Sequence, residues 1–241
     1  MISKETSRIL GGSLMIGGTA IGAGMLGLPI KNGPTGFPLA TASLFLVYLF
    51  MLASIFLYFE NILYMSDKSA NLISMTKARL SKPLQYFTWL AYALIHFCAI
   101  WAYIAGGGDI ISSFLQSAFH LSISETNCSL LFAVVLGSLV FTHIHVIDMI
   151  NRVFMIGLFT SFILLFTNIT PMVSLEYLTT VNVNHYLLIG IPIAAASYTS
   201  HIVLPSLRDY FDNDIKSLNK AIIIGAFLPF LFYIVWEFLI L

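Results

Sequence analysis

The sequence predicts an all-α integral membrane protein with about seven transmembrane helices and a cytoplasmic N-terminus. Three observations lead to this fold class. Of 241 residues, 59% are hydrophobic and 9% are charged, with a mean hydropathy of +0.92, whereas soluble domains carry about 25% charged residues. Long apolar stretches recur along the whole chain. Basic residues fall almost entirely on one side of these stretches.

The apolar stretches have the length of membrane-spanning helices. A hydrocarbon core of about 30 Å needs about 20 mostly apolar residues per helix. Seven stretches qualify, at residues 9–30, 38–58, 86–106, 129–146, 153–171, 187–207 and 221–241. The first six contain no Asp, Glu, Lys or Arg, as expected where a charge at mid-bilayer costs about 2.5–3.5 kcal/mol. The first stretch is long and lacks a small-residue cleavage pattern, so we interpret it as a retained helix rather than a signal peptide.

The placement of Lys and Arg sets the orientation. With the N-terminus in the cytoplasm, ten of the eleven basic residues fall on the cytoplasmic side. They are Lys4, Arg8, Lys68, Lys77, Arg79, Lys82, Arg152, Arg208, Lys216 and Lys220. Only Lys31 falls outside. This bias follows the positive-inside rule and supports both the orientation and the helix count. The balanced total charge favours no nucleic acid partner.

Two connections are long enough to hold structure. Residues 65–84 are polar and basic with interspersed apolar residues, which predicts a short helix at the membrane interface. Residues 110–128 are predicted to be an outer connection. Neither connection indicates a separate soluble domain, so the chain is predicted to be a single membrane domain over residues 1–241.

Glycine is concentrated in the first stretch, which holds seven of the chain's sixteen glycines. Glycine costs up to about 1 kcal/mol relative to alanine inside a helix, so the cluster favours local unwinding. Unwound backbone survives at membrane depth only where it is buried or lines a wet cavity. The free N–H groups of Gly22, Ala23 and Gly24 would then suit a carboxylate. The alternative is close helix packing, because Gly18 and Gly22 form a small-x-x-x-small pattern. This segment alone leaves both interpretations open.

The sixth stretch favours the first interpretation. Residues 191–205 read IPIAAASYTSHIVLP, so a proline and a run of small and hydroxylated residues interrupt the helix. Interrupted helices at corresponding places in two halves indicate the binding site of a transporter. Glu60 lies 31 residues after Pro29, and Glu237 lies 32 residues after Pro205. Five helices per half is an odd number, so the second half would cross the membrane in the opposite direction. The glutamate spacing by itself is weak evidence for such a repeat.

Four ordered segments resemble bacterial tryptophan- and tyrosine-specific permeases. The segments are Gly18–Ile30 (GTAIGAGMLGLPI), Ala102–Gly108 (AYIAGGG), Asp148–Arg152 (DMINR) and Ser197–Leu207 (SYTSHIVLPSL). The resemblance places the chain in the aromatic amino-acid permease family of the amino acid/polyamine/organocation superfamily. It implies a LeuT-type fold of two inverted five-helix repeats and proton-driven import of an aromatic amino acid across the bacterial inner membrane. Residues 9–171 would be the first repeat, and residues 187–241 the first two helices of the second.

The resemblance also implies a substrate site. The carboxylate would bind the backbone at Gly22, Ala23 and Gly24, and the ammonium would bind carbonyls around Ala20 and Ala196. Thr19 would also belong to the substrate site. Ser197, Tyr198, Ser200 and Tyr103 would shape the side-chain pocket. Thr199 stands where the family usually has glycine, which leaves the choice between tyrosine and tryptophan open. No cofactor is implied; the expected partners are the amino acid, a proton and the lipid bilayer.

Histidines are the candidates for proton coupling, because imidazole titrates near neutral pH. The position of His201 beside the interrupted segment favours a functional role for it. For His96 we favour a neutral histidine that is hydrogen-bonded between helices. His143 and His145 are two residues apart on different helix faces, and zinc needs more ligands, so no metal site is predicted. Asp148 and Arg152 fit an ordinary pair four residues apart.

Two other functions compete with transport. An intramembrane enzyme would need paired carboxylates, a metal cluster or a nucleophile with its base inside the helices, and the sequence offers none. The family has about eleven helices, so a chain of seven is expected to be truncated, split or partial. A non-transporting remnant or an accessory membrane subunit is therefore the alternative to an active permease.

Overall fold

Eleven α-helices make up most of the described chain in a computed structural model that describes residues 4–22, 24–65, 70–173, 175–183 and 185–241. They are α1 (Lys4–Ala20), α2 (Gly24–Asn32), α3 (Phe37–Leu63), α4 (Leu72–Arg79), α5 (Lys82–Phe119), α6 (Glu125–Ser138), α7 (Ile144–Ile169), α8 (Leu175–Thr179), α9 (Tyr186–Ser197), α10 (Leu204–Tyr210) and α11 (Ile215–Ile240). These residues contain no β-strand. Ala23, a predicted site residue, and Lys68, a predicted cytoplasmic cation, lie outside the described residues.

Five described segments are long and apolar enough to cross a bilayer. They are Phe37–Leu63, Lys82–Phe119, Ile144–Ile169, Tyr186–Tyr210 and Ile215–Ile240. The predicted first span is divided between α1 and α2, and the predicted fourth corresponds to the shorter apolar segment Glu125–Phe141. The all-α membrane class is therefore confirmed, while the count of seven and the LeuT-type arrangement stay predictions.

One predicted connection is wrong in part. α5 runs for 38 residues to Phe119, so most of the predicted outer connection is helix. At about 1.5 Å per residue this helix is about 57 Å long and exceeds the hydrocarbon core. It ends at His120, whose φ of 56° lies in the left-handed region. The polarity of Asp109 and the serines after it suggested a loop, but a helix can carry such residues where it leaves the hydrocarbon.

The described chain forms two compact units. The first contains Met1–Ala70 and Asp148–Leu241, and the second contains Asn71–Ile147. In the second unit, α4 begins with a capping box between Asn71 and Ser74, so the short helix predicted in residues 65–84 is present. α5 packs against α6 at the AYIAGGG segment, where a Cβ on Gly107 would overlap the ring of Phe132.

Glycines bring α1 close to α11 in the first unit. A Cβ on Gly17 would lie 3.2 Å from the Leu228 Cβ. From the other side, a Cβ on Gly225 would lie 2.7 Å from the Ile16 Cβ and 2.8 Å from the Ser13 carbonyl oxygen. Small residues allow such approach where lipid provides little hydrophobic drive for association. Part of the glycine cluster therefore does serve close packing.

An ionic cluster holds the end of the first unit that is predicted to be cytoplasmic. Arg152 donates to Asp148 at 3.0 Å, which confirms the predicted pair. Tyr210 also donates to Asp148 at 2.9 Å, and Arg152 reaches the Ser7 carbonyl at 2.8 Å. Arg8 donates to the Tyr210 carbonyl at 2.6 Å. These bonds join the start of α1 to α7 and α10.

We expect Gly225→Ala to destabilise the chain by about 1–3 kcal/mol, the usual cost of overpacking. The added methyl group would press on Ile16 and on the Ser13 carbonyl. The midpoint of thermal unfolding in detergent measures the effect. Gly157→Ala is the matched control, because a Cβ there meets nothing within 4 Å and should raise stability by up to about 1 kcal/mol. Equal midpoints for Gly225→Ala and the parent chain would contradict this packing.

Candidate functional site

The first helix is broken where the sequence predicts. α1 ends at Ala20 and α2 begins at Gly24. The Ile21 N–H makes the last α-helical bond, to the Gly17 carbonyl at 2.8 Å, whereas the Met25 N–H bonds the carbonyl only three residues earlier, at Gly22, at 3.0 Å. Glycine supplies the conformational freedom that such a break needs.

The sixth predicted span is also broken. α9 ends at Ser197, a 3₁₀ turn covers His201–Val203, and α10 begins at Leu204. The Tyr198 N–H still bonds the Ala194 carbonyl at 3.1 Å, which closes the last turn of α9. Pro205 near the start of α10 is compatible with a helix N-terminus, where its missing N–H has no partner to lose.

Tyr233 of α11 joins the two breaks. Its hydroxyl lies 2.7 Å from the carbonyl oxygen of Ala20 and 2.9 Å from that of Ser197. Ala20 is the last residue of α1, and Ser197 is the last residue of α9. The Tyr233 side chain is fully buried. One side chain therefore shows that the two predicted breaks lie side by side.

The two carbonyls form an electronegative position. The C-terminal end of a helix carries a partial negative charge, and its last carbonyls lack partners within the helix. A hydroxyl has one proton, so Tyr233 can donate fully to only one of the two oxygens at a time. A cationic group with several N–H donors would satisfy both oxygens better. The arrangement suits an ammonium.

A small cleft, with room for about one water molecule, lies beside the second break. It is lined by Tyr48, Met51, Leu52, Ile55, Tyr198, Ser200, Ala226 and Pro229, from α3, the end of α9 and α11; we call it the tyrosine cleft. Tyr198 packs between Tyr48, at 6.1 Å between ring centroids, and Tyr233, at 5.2 Å. Tyr48 also stacks on Phe230 at 4.7 Å. The walls are thus mostly apolar and aromatic, as in small-molecule sites.

Predicted site residues fall into groups. Tyr198 and Ser200 are buried and line the tyrosine cleft. The hydroxyls of three others bond back to their own helices: Thr19 to Met15, Ser197 to Ile193 and Thr199 to Ala195. Thr199 and Ala196 are exposed on another side of the break. The Ala20 and Ser197 carbonyls are the oxygens that meet Tyr233.

The histidines occupy different surroundings. His201 Nε2 lies 3.1 Å from the Ser54 hydroxyl of α3, and its ring packs edge-on against Tyr58. His96 Nδ1 lies 2.7 Å from the Tyr92 carbonyl in its own helix. His96 and Tyr103, which is 46% exposed, belong to α5 in the second unit. Their predicted roles stay predictions.

Sequence reasoning missed Tyr233 and Tyr48. Tyrosine in an apolar stretch is common at membrane interfaces, so neither residue carries a distinctive pattern. A weak signal existed for Tyr233, because it lies four residues before Glu237 and so shares a helix face with it. The residues that contact Tyr233 and Tyr48 lie on helices far apart in sequence.

Comparison with known proteins agrees with the earlier resemblance. The tryptophan/tyrosine permease family matches residues 5–241. A tryptophan-specific transport protein of Haemophilus influenzae is 30% identical, over 98% of this chain and 59% of that protein. Tyrosine-specific transport system 1 of the same organism is 27% identical, over 96% of this chain and 57% of that protein. Glutamine transporter 2 of Aliivibrio fischeri is 25% identical, over 95% and 59% respectively.

The chain thus spans a little under three fifths of the length of these relatives. No solved structure matches it. The family match covers nearly the whole chain, and five described segments could cross a bilayer. The chain is a multi-pass membrane protein, and it belongs to the tryptophan/tyrosine permease family.

Proposed function

We propose that the chain forms the front part of a secondary transporter that imports tyrosine or tryptophan across the bacterial inner membrane in symport with protons. Family membership and the names of the tryptophan- and tyrosine-specific relatives support this proposal. The fold would be the LeuT-type arrangement of inverted repeats, with about seven of its helices in this chain. The observation that carries the proposal is the meeting of two helix breaks at Tyr233.

The substrate ammonium binds the carbonyls of Ala20 and Ser197 in this proposal. The Tyr233 hydroxyl lies within hydrogen-bond distance of both oxygens and shares its one proton between them. Hydrogen bonds from a charged donor are roughly twice as strong as neutral ones. An ammonium would therefore replace the tyrosine hydroxyl, which acts as a neutral placeholder when no substrate is bound.

The substrate carboxylate binds the start of α2. N–H groups at a helix N-terminus have no partner within the helix and lie at the positive end of its dipole. Gly22 and Gly24 flank the break, and Ala23 between them completes the predicted site. Absence of side chains at the two glycines would let the carboxylate approach the backbone closely.

The aromatic side chain enters the tyrosine cleft. Tyr48 and Tyr198 offer ring faces and edges, and aromatic pairs gain about 0.5–1.5 kcal/mol beyond their buried area. The cleft has room for about one water molecule, far below the range of about 300–1,000 Å³ usual for ligand pockets. An aromatic side chain can therefore enter only after the walls move, for example by movement of Tyr198 or widening at Ser200. Tyr103 and Thr199 remain candidates for selectivity.

The backbone part of the site explains how related proteins can take different amino acids. One relative is named a glutamine transporter, and every amino acid carries the same ammonium and carboxylate. Carbonyls and N–H groups at the breaks recognise those shared groups whatever the side chain. Selectivity for an aromatic substrate then depends on the residues that surround the substrate side chain.

We expect proteoliposomes carrying the chain to take up labelled tyrosine or tryptophan faster when the outside is more acidic. Gly22→Leu should lower uptake at least about tenfold, since losing about 1.4 kcal/mol of binding is a factor of ten. The leucine side chain would cover the backbone at the first break. Initial uptake rates with and without a pH gradient measure both effects.

Gly157→Leu is the matched control, because a Cβ at Gly157 meets nothing within 4 Å. Both variants must insert into the membrane in equal amounts. Uptake by Gly22→Leu equal to the parent chain would remove the first break from the site. No uptake by the parent chain under any gradient would instead favour a remnant or an accessory subunit.

We expect Tyr233→Phe to destabilise the substrate-free chain by about 1–3 kcal/mol, because two buried carbonyls lose their shared donor. Substrate should restore the lost stability, since its ammonium supplies new donors. The rise in unfolding midpoint on adding substrate should therefore be larger in Tyr233→Phe than in the parent chain. Tyr86→Phe, at an exposed position in the second unit, should behave like the parent. A smaller substrate-induced rise in Tyr233→Phe would disprove the placeholder role.

A further inference from the structure

We infer that Glu237 of α11 is the proton-binding carboxyl of this protein, and that Asn32 at the end of α2 positions it. The inference rests on the proposed transport function and names the group that carries its proton. Neither residue belongs to the substrate site described above. Glu237 is distinct from the two histidines that the sequence favours for proton coupling.

Glu237 is a fully buried carboxyl with an incomplete set of bonds. None of its surface is exposed. Its Oε1 accepts from the Asn32 side-chain amide at 3.2 Å. Its Oε2 is buried and has no hydrogen-bond partner among the described residues. A membrane helix holds an ionisable group of this kind at a high cost, which makes it a functional candidate.

The bonding pattern fits a neutral carboxylic acid. In the neutral form the carbonyl oxygen accepts, and here Oε1 accepts from Asn32. An ionised carboxylate would need a cation or several donors to remain buried. The ion pairs found in the described chain are Arg8–Asp212, Arg152–Asp148 and Lys220–Glu5. None of them includes Glu237, so the proton is what neutralises it in this conformation.

Few other charges surround Glu237. On α2 the neighbouring ionisable residue is Lys31, whose side chain is exposed. Tyr233 lies one turn earlier on the same face of α11, and Tyr198 at the end of α9 packs on its ring. Beside Glu237, Trp236 packs on Phe162 of α7 and Phe238 packs on Phe37 of α3.

Glu5 of α1 lies 3.8 Å from Lys220 near the start of α11. Arg208 of α10 donates to the Ile62 carbonyl at the end of α3. Glu60 lies near the far end of α3 and is exposed. The hydrogen-bond partner of Glu237 is therefore neutral. Whether Glu237 keeps its proton depends on whether water can reach the carboxyl.

Asn32 connects this carboxyl to both broken helices. It is buried at the last residue of α2. A Cβ on Gly190 of α9 would overlap its amide oxygen, so the amide lies directly on the α9 backbone. Ionising Glu237 requires water, and water can enter only if α2, α9 and α11 separate around Asn32. Loss of the proton is thus linked to separation of these three helices around Asn32. In the predicted orientation this end of the helices faces the outside.

The test compares Glu237→Gln with the exposed control Glu60→Gln in proteoliposomes containing the whole chain. Two rates are measured with labelled tyrosine and tryptophan: exchange of inner for outer substrate without a gradient, and accumulation driven by a pH gradient. With one proton per substrate and no membrane potential, the parent and Glu60→Gln should accumulate substrate about tenfold per pH unit, because one unit of about 1.4 kcal/mol is a factor of ten. Glu237→Gln should exchange substrate but accumulate none.

Each outcome has a distinct meaning. Absence of exchange and accumulation in the parent chain would refute the transport proposal itself. Transport in the parent with normal pH-driven accumulation in Glu237→Gln would overturn the role of Glu237 alone. Accumulation that follows a sodium gradient and ignores pH would also overturn it. Asn32→Leu should resemble Glu237→Gln if Asn32 positions the carboxyl.

An infrared measurement covers the case in which Glu237→Gln does not fold. Difference spectra of the substrate-free parent chain between acidic and alkaline solution should contain the C=O band of a protonated carboxylic acid that persists at neutral pH. The band should shift in Glu237→Asp, which keeps the carboxyl, and should be unchanged in Glu60→Gln. Loss of the protonated band well below neutral pH would overturn the inference.

Discussion

The structure of the first unit depends on how it satisfies backbone groups released where two helices break. In hydrocarbon such groups have no water to bond, so each break must find partners within the protein. The Tyr233 hydroxyl provides one donor for the last carbonyls of α1 and α9. Both breaks must therefore lie against α11, and this requirement brings helices from distant parts of the sequence together.

Glycines of the first helix serve two purposes that their sequence pattern does not separate. Gly17 lies against Leu228 of α11, and Gly225 of α11 lies against Ile16. This close packing holds α1 at the distance that Tyr233 needs to reach the Ala20 carbonyl. Gly22 lies in the break itself. The sequence leaves close packing and local unwinding as alternatives. The structure contains both, because the close packing of α1 on α11 supports the break beside it.

Hydropathy and charge predicted the membrane class and the locations of the apolar helices. Glycine, proline and small residues predicted both breaks, because a break depends on residues close together in sequence. The predicted end of the third apolar helix was wrong. Asp109 and nearby serines lower local hydropathy without ending α5. Tyr233 could not be found as a site residue, because its importance comes from Ala20 and Ser197, 213 and 36 residues away. Thr19 and Thr199 are predicted site residues whose hydroxyls bond the Met15 and Ala195 carbonyls, because such groups readily bond the carbonyl four residues earlier.

In the proposed mechanism α11 is the physical link between the amino-acid substrate and the proton. Tyr233 and Glu237 are four residues apart, so they share one face of the helix. Tyr233 touches the ends of α1 and α9, and Glu237 bonds the end of α2 through Asn32. A cation that displaces the Tyr233 hydroxyl removes the hydrogen bonding between that face of α11 and the two breaks. The same helix can then shift relative to Asn32, which changes how easily water reaches Glu237. Substrate and proton would thus act on one rigid element, and neither needs to touch the other.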